Sequence, residues 1–268
     1  MSSTDKLFTG SIPELYDRLL VPLIFEPYAQ DLAERVGRLA PQSVLEVAAG
    51  TGVLTRALAT KLPAGTSIVA TDLNQPMLDQ ARRRMPNDSR VTWQQADAQA
   101  LRFGDGQFDV VVCQFGAMFF PDKVAAYRQF KRALRPDGRL LFNVWDAIEE
   151  NELADEVTRA LAELIPADPP RFMRRTPHGY YDPELIRAQL HAAGFGNVSI
   201  EYRDTISSAP SPYDAATAYC QGTPLRAEIE ERGKSLDEAT QYAANAIAAR
   251  FGPGRVTSRI RALVIQAD

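Results

Sequence analysis

The chain has 268 residues, 45% of them hydrophobic and 24% charged, with a formal net charge of −4 at pH 7. These are the proportions of a globular chain with a sizeable core, which excludes collagen-like, coiled-coil and wholly disordered readings. The acidic balance removes a chain-wide basic footprint for nucleic acid, and no apolar run reaches the ~18 residues of a membrane span. The start carries no secretory pattern, and Cys113 and Cys220 are too few for a disulfide framework, so a cytoplasmic protein is expected.

In chain order, residues 1–10 are small and polar and are expected to fray. From Ile12 to Ala40 apolar residues recur at helical spacing, and Pro22 and Pro27 are expected to break the stretch into two or three short helices. The period then changes. Residues 43–48, 67–71, 91–93, 108–113 and 139–145 are short apolar runs that read as buried strands. Helical patterns lie between them, after Gly52, over Pro76–Met85 and over Pro121–Leu134, the last closed by the turn signal Arg135-Pro136-Asp137-Gly138. Strands alternating with helices imply a parallel sheet covered on both faces, wound in the doubly wound manner, with ligands outside the C-terminal strand ends.

Beyond Trp145 the pattern is an insertion with a helix near Leu153–Leu164 and a proline-rich loop. A helix starts at Asp182-Pro183-Glu184 and ends at Gly194. A strand follows over Val198–Ser207, then helices over Tyr213–Arg232 and Asp237–Phe251, and a last strand over Arg255–Gln266. The segments expected are an N-terminal helical lid, 1–41; an α/β core, 42–146; a helical insertion completing the lid, 147–182; and a C-terminal completion of the sheet, 183–268.

The chemistry concentrates at strand ends. Glu46-Val47-Ala48-Ala49-Gly50-Thr51-Gly52 joins a strand to a helix. Its glycines let backbone approach a ligand, and the helix start presents free N–H groups. An ionised Glu46 there is costly without a partner. Asp72, ending the second strand, suits the two ribose hydroxyls of an adenosine. Asp97, after the third, suits an adenine amine. Three acids after successive strands of one sheet converge on one edge. Two ligands fit. A dinucleotide fingerprint wants a small residue where Thr55 stands, and its pyrophosphate would be repelled by Glu46. A cationic nucleoside suits Glu46 better, and S-adenosylmethionine, with a sulfonium and an ammonium, is such a ligand.

These residues resemble a known family. The stretch from Ser43 to Asp146 is similar to class I S-adenosylmethionine-dependent methyltransferases, in the type-11 group that includes the ubiquinone/menaquinone-biosynthesis C-methyltransferases. Val44–Gly52 resembles the family's first motif, Thr71–Leu78 its second, and Ala96-Asp97-Ala98 the adenine-amine motif. Phe108–Gly116 resembles the fourth, and Leu134–Leu140 the turn after the helix. One departure is Ala48, where many members have Gly. The resemblance implies an α/β fold, a doubly wound, mostly parallel seven-stranded sheet of Rossmann-like methyltransferase type, ordered 3-2-1-4-5-7-6. It carries N-terminal helices and a helical insertion as a lid. It implies S-adenosyl-L-methionine as cofactor, S-adenosyl-L-homocysteine as product, and a small-molecule methyl acceptor.

Cofactor contacts are then expected from Glu46, Ala48, Gly50, Thr51, Gly52, Asp72, Leu73, Met77, Asp97, Ala98, Gln114 and Phe115, with Tyr16 at the methionine end. The acceptor is expected among Phe25, Tyr28, Phe119, His178, Tyr180 and Cys220, on aromatic-rich segments outside the sheet core. The transferring atom of the acceptor, C, N or O, stays open. His178 is a candidate general base, whereas His191, Cys113 and the clusters Arg82–Arg84 and Arg171–Arg175 read as packed or solvated residues. No Cys/His spacing marks a metal site. A monomer or homodimer without nucleic acid or membrane span is expected. The alternatives are an NAD(P)-dependent oxidoreductase and a protein that binds S-adenosylmethionine without catalysis.

Overall fold

A computed structural model describes residues 8–268; the polar start read as frayed lies outside the described residues as far as residue 7. The chain divides into two compact units. The sheet unit holds Glu26–Val144, Tyr180–Arg203 and Ala262–Asp268. The helical unit holds the described residues through Phe25, then Trp145–Gly179 and Asp204–Arg261.

The sheet unit is built on strands β1 (Ser43–Val47), β2 (Ser67–Asp72), β3 (Val91–Gln95), β4 (Phe108–Gln114), β5 (Leu134–Trp145), β6 (Val198–Ala209) and β7 (Val256–Ala267), in the order β3-β2-β1-β4-β5-β7-β6. The far ends of β6 and β7, residues 204–209 and 256–261, belong to the helical unit. The first five strands pair in parallel, Glu46 opposite Ala70 and Val112, and Asp72 opposite Gln95. A parallel sheet covered on both faces needs strands that are apolar throughout. Val44, Leu45 and Val47 of β1 and Val110, Val111, Val112 and Cys113 of β4 are all buried. Helix α2 (Glu26–Arg38) packs against α3 (Val53–Lys61), and Leu32, Val36, Leu54 and Leu58 join Val44, Ile68 and Val112 in one cluster.

Two elements differ from the sequence reading. The chain stays helical from Ile12 to Arg38 as α1 (Ile12–Leu15), a π-helical stretch (Tyr16–Phe25) and α2. Pro22 lies inside the π-helix rather than at a break. Proline has no N–H to give and its ring crowds the carbonyl of the preceding turn, and the wider π winding accommodates both. Pro27 is the second residue of α2, directly after the π-helical stretch, and does not break the run either.

The second difference is β5, which starts at Leu134 rather than after Gly138. Leu134 pairs with Phe108 and Arg139 with Val110, so the turn residues bulge out against Asp109 alone. Gly138 closes that bulge: a Cβ there would meet Leu134 Cδ2 at 2.9 Å and the Arg135 and Asp109 carbonyl oxygens at 3.0 and 3.1 Å. The Asp109 carboxylate braces this end of the sheet, accepting from the Gln42 and Ser43 N–H groups at 2.8 and 2.9 Å and pairing with Arg135.

The remaining helices of the sheet unit are α4 (Gln75–Arg84), α5 (Lys123–Ala133) and α8 (Pro183–Ala192). Asp122 and Asp182 cap the last two by accepting from Ala125 N–H and Glu184 N–H. The helical unit contains α6 (Glu152–Leu164), α7 (Phe172–Arg175), α9 (Pro212–Gln221), α10 (Leu225–Glu231) and α11 (Leu236–Phe251). Helix α11 packs on α9 and α6, burying Ala239, Ala243, Ala244 and Ile247. The expected Tyr213–Arg232 helix is two helices, because Gly222-Thr223-Pro224 turns the chain and the Thr223 hydroxyl accepts from Leu225 N–H at 3.2 Å. Glu228 holds the start of α7, accepting from the Arg171 and Phe172 N–H groups at 2.6 and 3.1 Å and from Arg175 at 2.8 Å.

Candidate cofactor site

The loop after β1 is a run of left-handed backbone. Ala48, Gly50 and Gly52 have φ of 57°, 58° and 79°. The glycines adopt this without cost, whereas the Cβ of Ala48 costs about 1 kcal/mol. Gly52 is required on space as well, since a Cβ would lie 2.8 Å from the Trp93 ring and 3.1 Å from Ala81 Cβ. The loop is tied to β2: Ala49 N–H donates to Thr71 O at 2.8 Å, and the Thr71 hydroxyl donates to Glu46 O at 2.9 Å.

Asp72, 7% exposed, does two things at once. Its Oδ2 accepts from Gly50 N–H at 2.9 Å and its Oδ1 from Asn74 N–H at 2.8 Å. Burial raises its pKa, and these backbone donors oppose the rise. Each carboxylate oxygen has two lone pairs, so capacity for a diol remains. The sequence reading named Asp72 for a ribose but missed its grip on the glycine loop, which only the folded distance reveals.

Glu46 is 1% exposed and accepts from the Thr55 hydroxyl at 2.6 Å. Burial pushes its pKa up to about 8, against the opposing pull of Thr55 and Arg56. Thr55, read in the sequence only as an obstacle to a dinucleotide, is the partner of the buried acid. The Thr51 hydroxyl is fully buried and without a partner. A paired acid, a second acid under a glycine loop and an orphaned hydroxyl fit a nucleoside with a cationic amino-acid tail better than a pyrophosphate.

The far side of the site comes from β4. Phe115 has φ of 50°, and its N–H donates to Asn143 Oδ1 at 3.0 Å and to Asn143 O at 3.2 Å. The Tyr28 ring stands edge-on to Phe115 at 5.3 Å, and its hydroxyl donates to Arg203 O at 2.9 Å. At Gly116 a Cβ would sit 2.5 Å from Ala48 Cβ and 2.7 Å from Cys113 Sγ. Gly116→Ala is therefore expected to lose about 1–3 kcal/mol by overpacking, measured by chemical denaturation. Ala48→Gly in the same chain returns part of that loss, the Cys113 contact keeping the rest.

Not every expected contact gathers here. Within the sheet unit Met77, Ala98 and Gln114 are buried, while Leu73 is 43% exposed and Phe119 half-buried. Asp97 is exposed, with Oδ1 accepting from Gln99 N–H at 2.9 Å. Tyr180 is committed elsewhere: its hydroxyl lies 3.2 Å from that of Tyr127 and donates to Gln189 at 2.6 Å, under the Lys123 ammonium. In the helical unit Cys220 is buried within α9, its thiol pushed up to about 12 by burial. Packing against the neighbouring helix explains Cys220 without a ligand. Cys113 is likewise a buried strand residue, its thiol also raised to about 12 by burial. His191 lies in the last turn of α8, its Nδ1 3.0 Å from Phe195 O beyond the helix end. Arg174 pairs with Glu149 and Asp155, and Arg175 with Glu228. Tyr16 and Phe25 stack at 5.0 Å, and Phe25 meets Trp145 at 5.9 Å. Among the described residues no helix is long and apolar enough to cross a membrane.

The doubly wound sheet with acids behind a glycine loop and at the next strand end defines a nucleoside-binding α/β enzyme. Comparison with known proteins makes the class specific. A family described as a methyltransferase domain matches residues 44–138. The ubiquinone/menaquinone biosynthesis C-methyltransferase UbiE of Cronobacter sakazakii is 31% identical over 170 residues, covering 59% of this chain and 68% of that protein. The demethylmenaquinone methyltransferase of Clavibacter sepedonicus is 29% identical over 178 residues, covering 63% and 71%. Among solved structures, phosphoethanolamine N-methyltransferase 2 of Haemonchus contortus, in complex with S-adenosyl-L-methionine, superposes with a TM-score of 0.61 at 16% identity, over 100% of this chain and 60% of that one. The YcgJ protein of Bacillus subtilis gives 0.56 at 18% identity, over 90% and 97%; both likenesses are of fold. The chain belongs to the class I S-adenosylmethionine-dependent methyltransferases. It moves a methyl group from S-adenosylmethionine to a small-molecule acceptor, and the oxidoreductase and non-catalytic alternatives are not favoured.

Proposed function

We propose that the cofactor lies along Glu46, Ala48, Gly50, Thr51, Gly52, Asp72, Leu73, Met77, Asp97, Ala98, Gln114 and Phe115, and that the acceptor is a small aromatic compound. The observation that carries the cofactor assignment is Asp72, a buried carboxylate that braces Gly50 and keeps lone pairs for a ribose diol. Glu46 serves the cationic amino-acid end, and the Thr51 hydroxyl finds there the partner it lacks in the protein. When bound, the cofactor supplies an activated methyl group, so the chain's own work is alignment and exclusion of water. The exposed Leu73 side chain supports an adenine-facing role, because a planar base would cover it.

Two things support an aromatic acceptor: the adjoining rings of Tyr16, Phe25 and Trp145, and the quinone pathways named for the UbiE relatives. The enzyme works in the cytoplasm as a monomer or homodimer and needs no nucleic acid.

Calorimetric titration with S-adenosylhomocysteine, with NADH in parallel, tests the cofactor. Micromolar binding of the first alone is expected; binding of NADH instead overturns the reading of the Glu46 loop. Turnover of S-adenosylmethionine against a panel of phenols, amines and aliphatic acids tests the acceptor class, and turnover confined to aliphatic acids overturns it.

A further inference from the structure

Asn143 is the one polar side chain in the buried run Leu140–Val144 of β5, and it is 0% exposed. Its Oδ1 accepts from Phe115 N–H at 3.0 Å, so the carboxamide oxygen faces that donor and Nδ2 points elsewhere. Nδ2 is buried and meets no acceptor among the described residues. The same Phe115 N–H also donates to Asn143 O at 3.2 Å, where β4 and β5 pair with Gln114 opposite Asn143. The N–H therefore has an acceptor without the side chain. An apolar residue at 143 would leave nothing unpaired, whereas asparagine leaves a buried donor unmet, which costs stability. Packing gives no reason for a carboxamide here.

Phe115 gives one. Its φ is 50°, and among the described residues only Ala40 and Ala48 share this left-handed backbone without being glycine. A Cβ is strained in that region, and such strain persists only where the surroundings over-determine it. The turn carries the chain out of β4 and onto the glycine loop. A Cβ on Gly116 would lie 2.5 Å from Ala48 Cβ, and Phe119 N–H donates to Gly116 O at 2.9 Å to start the next turn. The Phe115 ring is fixed separately, edge-on at 5.3 Å to Tyr28, whose hydroxyl donates to Arg203 O at 2.9 Å. Asn143 Oδ1 gives the strained backbone a second acceptor. Every residue of this set lies in the sheet unit, with Glu46, Gly50 and Asp72.

We propose that Asn143 is a positioning residue for cofactor binding: its Oδ1 holds Phe115 in the left-handed turn that seats Gln114–Gly116 against the glycine loop. The carboxamide is fully buried and itself touches neither cofactor nor acceptor. The proposal rests on the cofactor assignment and deepens it by naming what fixes the β4 side of that site. The unmet Nδ2 and the strained Cβ of Phe115 both weigh against folding. They are retained because a turn already formed when the cofactor arrives does not have to be ordered by it.

Asn143→Val tests this on the full chain, with S-adenosylhomocysteine binding read by calorimetry and stability by chemical denaturation. Valine suits a strand and removes both the second acceptor and the unmet donor. Affinity is expected to fall by about 10-fold, the order of the penalty that a left-handed Cβ carries, while the denaturation midpoint stays at or above that of the wild type. Affinity within about 2-fold of wild type, whatever the stability, overturns the proposal. The residue at 115 separates positioning from packing. In a Phe115→Gly background the backbone takes a positive φ freely, so adding Asn143→Val should cost little further affinity. In a Phe115→Ala background the ring is gone but the Cβ stays, so Asn143→Val should again cost about 10-fold. An equal cost in the two backgrounds overturns the proposal, because a residue acting through packing alone is indifferent to a Cβ at 115. Where Asn143→Val does not fold, Asn143→Ser, whose hydroxyl ends one bond short of Oδ1, takes its place in every arm. A chain that tolerates neither substitution needs Asn143 for its structure, which overturns the proposal as well. Wild-type protein that binds no S-adenosylhomocysteine strikes the cofactor assignment itself, and the proposal falls with it.

Discussion

Asp72→Ala is expected to weaken S-adenosylhomocysteine binding by about 100-fold or more, near 3 kcal/mol, read by calorimetry. Two losses combine. The carboxylate no longer meets the ribose hydroxyls with charge-assisted hydrogen bonds. Gly50 N–H, which donates to Oδ2 at 2.9 Å, also loses its acceptor, so the loop that must approach the ligand loosens. Asp72→Asn removes the charge and keeps one oxygen for the Gly50 N–H, while its NH2 faces the Asn74 N–H that Oδ1 had accepted, so a loss of at least about 10-fold is expected. Near-wild-type affinity in Asp72→Ala removes Asp72 from the ribose.

Glu46→Gln is expected to move stability and binding in opposite directions. Burial raises the folded-state pKa of Glu46 from 4.5 to about 8. Between those values the folded state holds a proton that the unfolded state has released. Stability from this group is therefore fully present below about pH 4.5, falls as pH rises, and is gone above about pH 8. A tenfold change in proton affinity corresponds to about 1.4 kcal/mol, so the ionised acid costs roughly 3–5 kcal/mol at pH 9. Glutamine keeps an oxygen for the Thr55 hydroxyl and never ionises. The variant should melt several degrees above wild type at pH 9 and within a degree or two of it at pH 4. It should also bind the cofactor at least about 10-fold more weakly, having lost the charge that meets the ammonium. Calorimetry at pH 7 in buffers of different ionisation enthalpy gives a second reading: wild type releases up to one proton per cofactor bound and the variant releases none. Equal proton release from both proteins removes Glu46 from the cationic end.

Much of the sheet was legible because buried parallel strands need mostly apolar runs between turn residues, here each interrupted by a single acid, Glu46 or Asp109. Val44–Val47 and Phe108–Cys113 are such runs, and each became a strand within a residue or two of its expected ends. The helix start at Asp182 was legible for a local reason, a side-chain oxygen beside N–H groups that have no partner of their own. The breaks expected at Pro22 and after Gly138 failed because each depends on neighbours. Pro22 is carried by π winding, and the Pro136 turn is absorbed as a bulge against Asp109.

The sequence by itself determined the doubly wound sheet, the placing of Glu46, Asp72 and Asp97 at or just beyond the ends of successive strands, and the cationic nucleoside that such acids favour. All of these follow from local pattern: the period of apolar residues, the turn chemistry and the order of the elements. Only the tertiary structure decided what each polar group meets. Thr55 meets Glu46, Asp72 meets Gly50, Ala48 presses on Gly116, Tyr180 is engaged by Tyr127 and Gln189, and His178 is pinned by the Asp146 carbonyl. A hydrogen bond or an overlap is decided within a few tenths of an ångström between residues distant in the chain. Periodicity carries no information at that scale, because it places a residue on a face and leaves its partner to the packing.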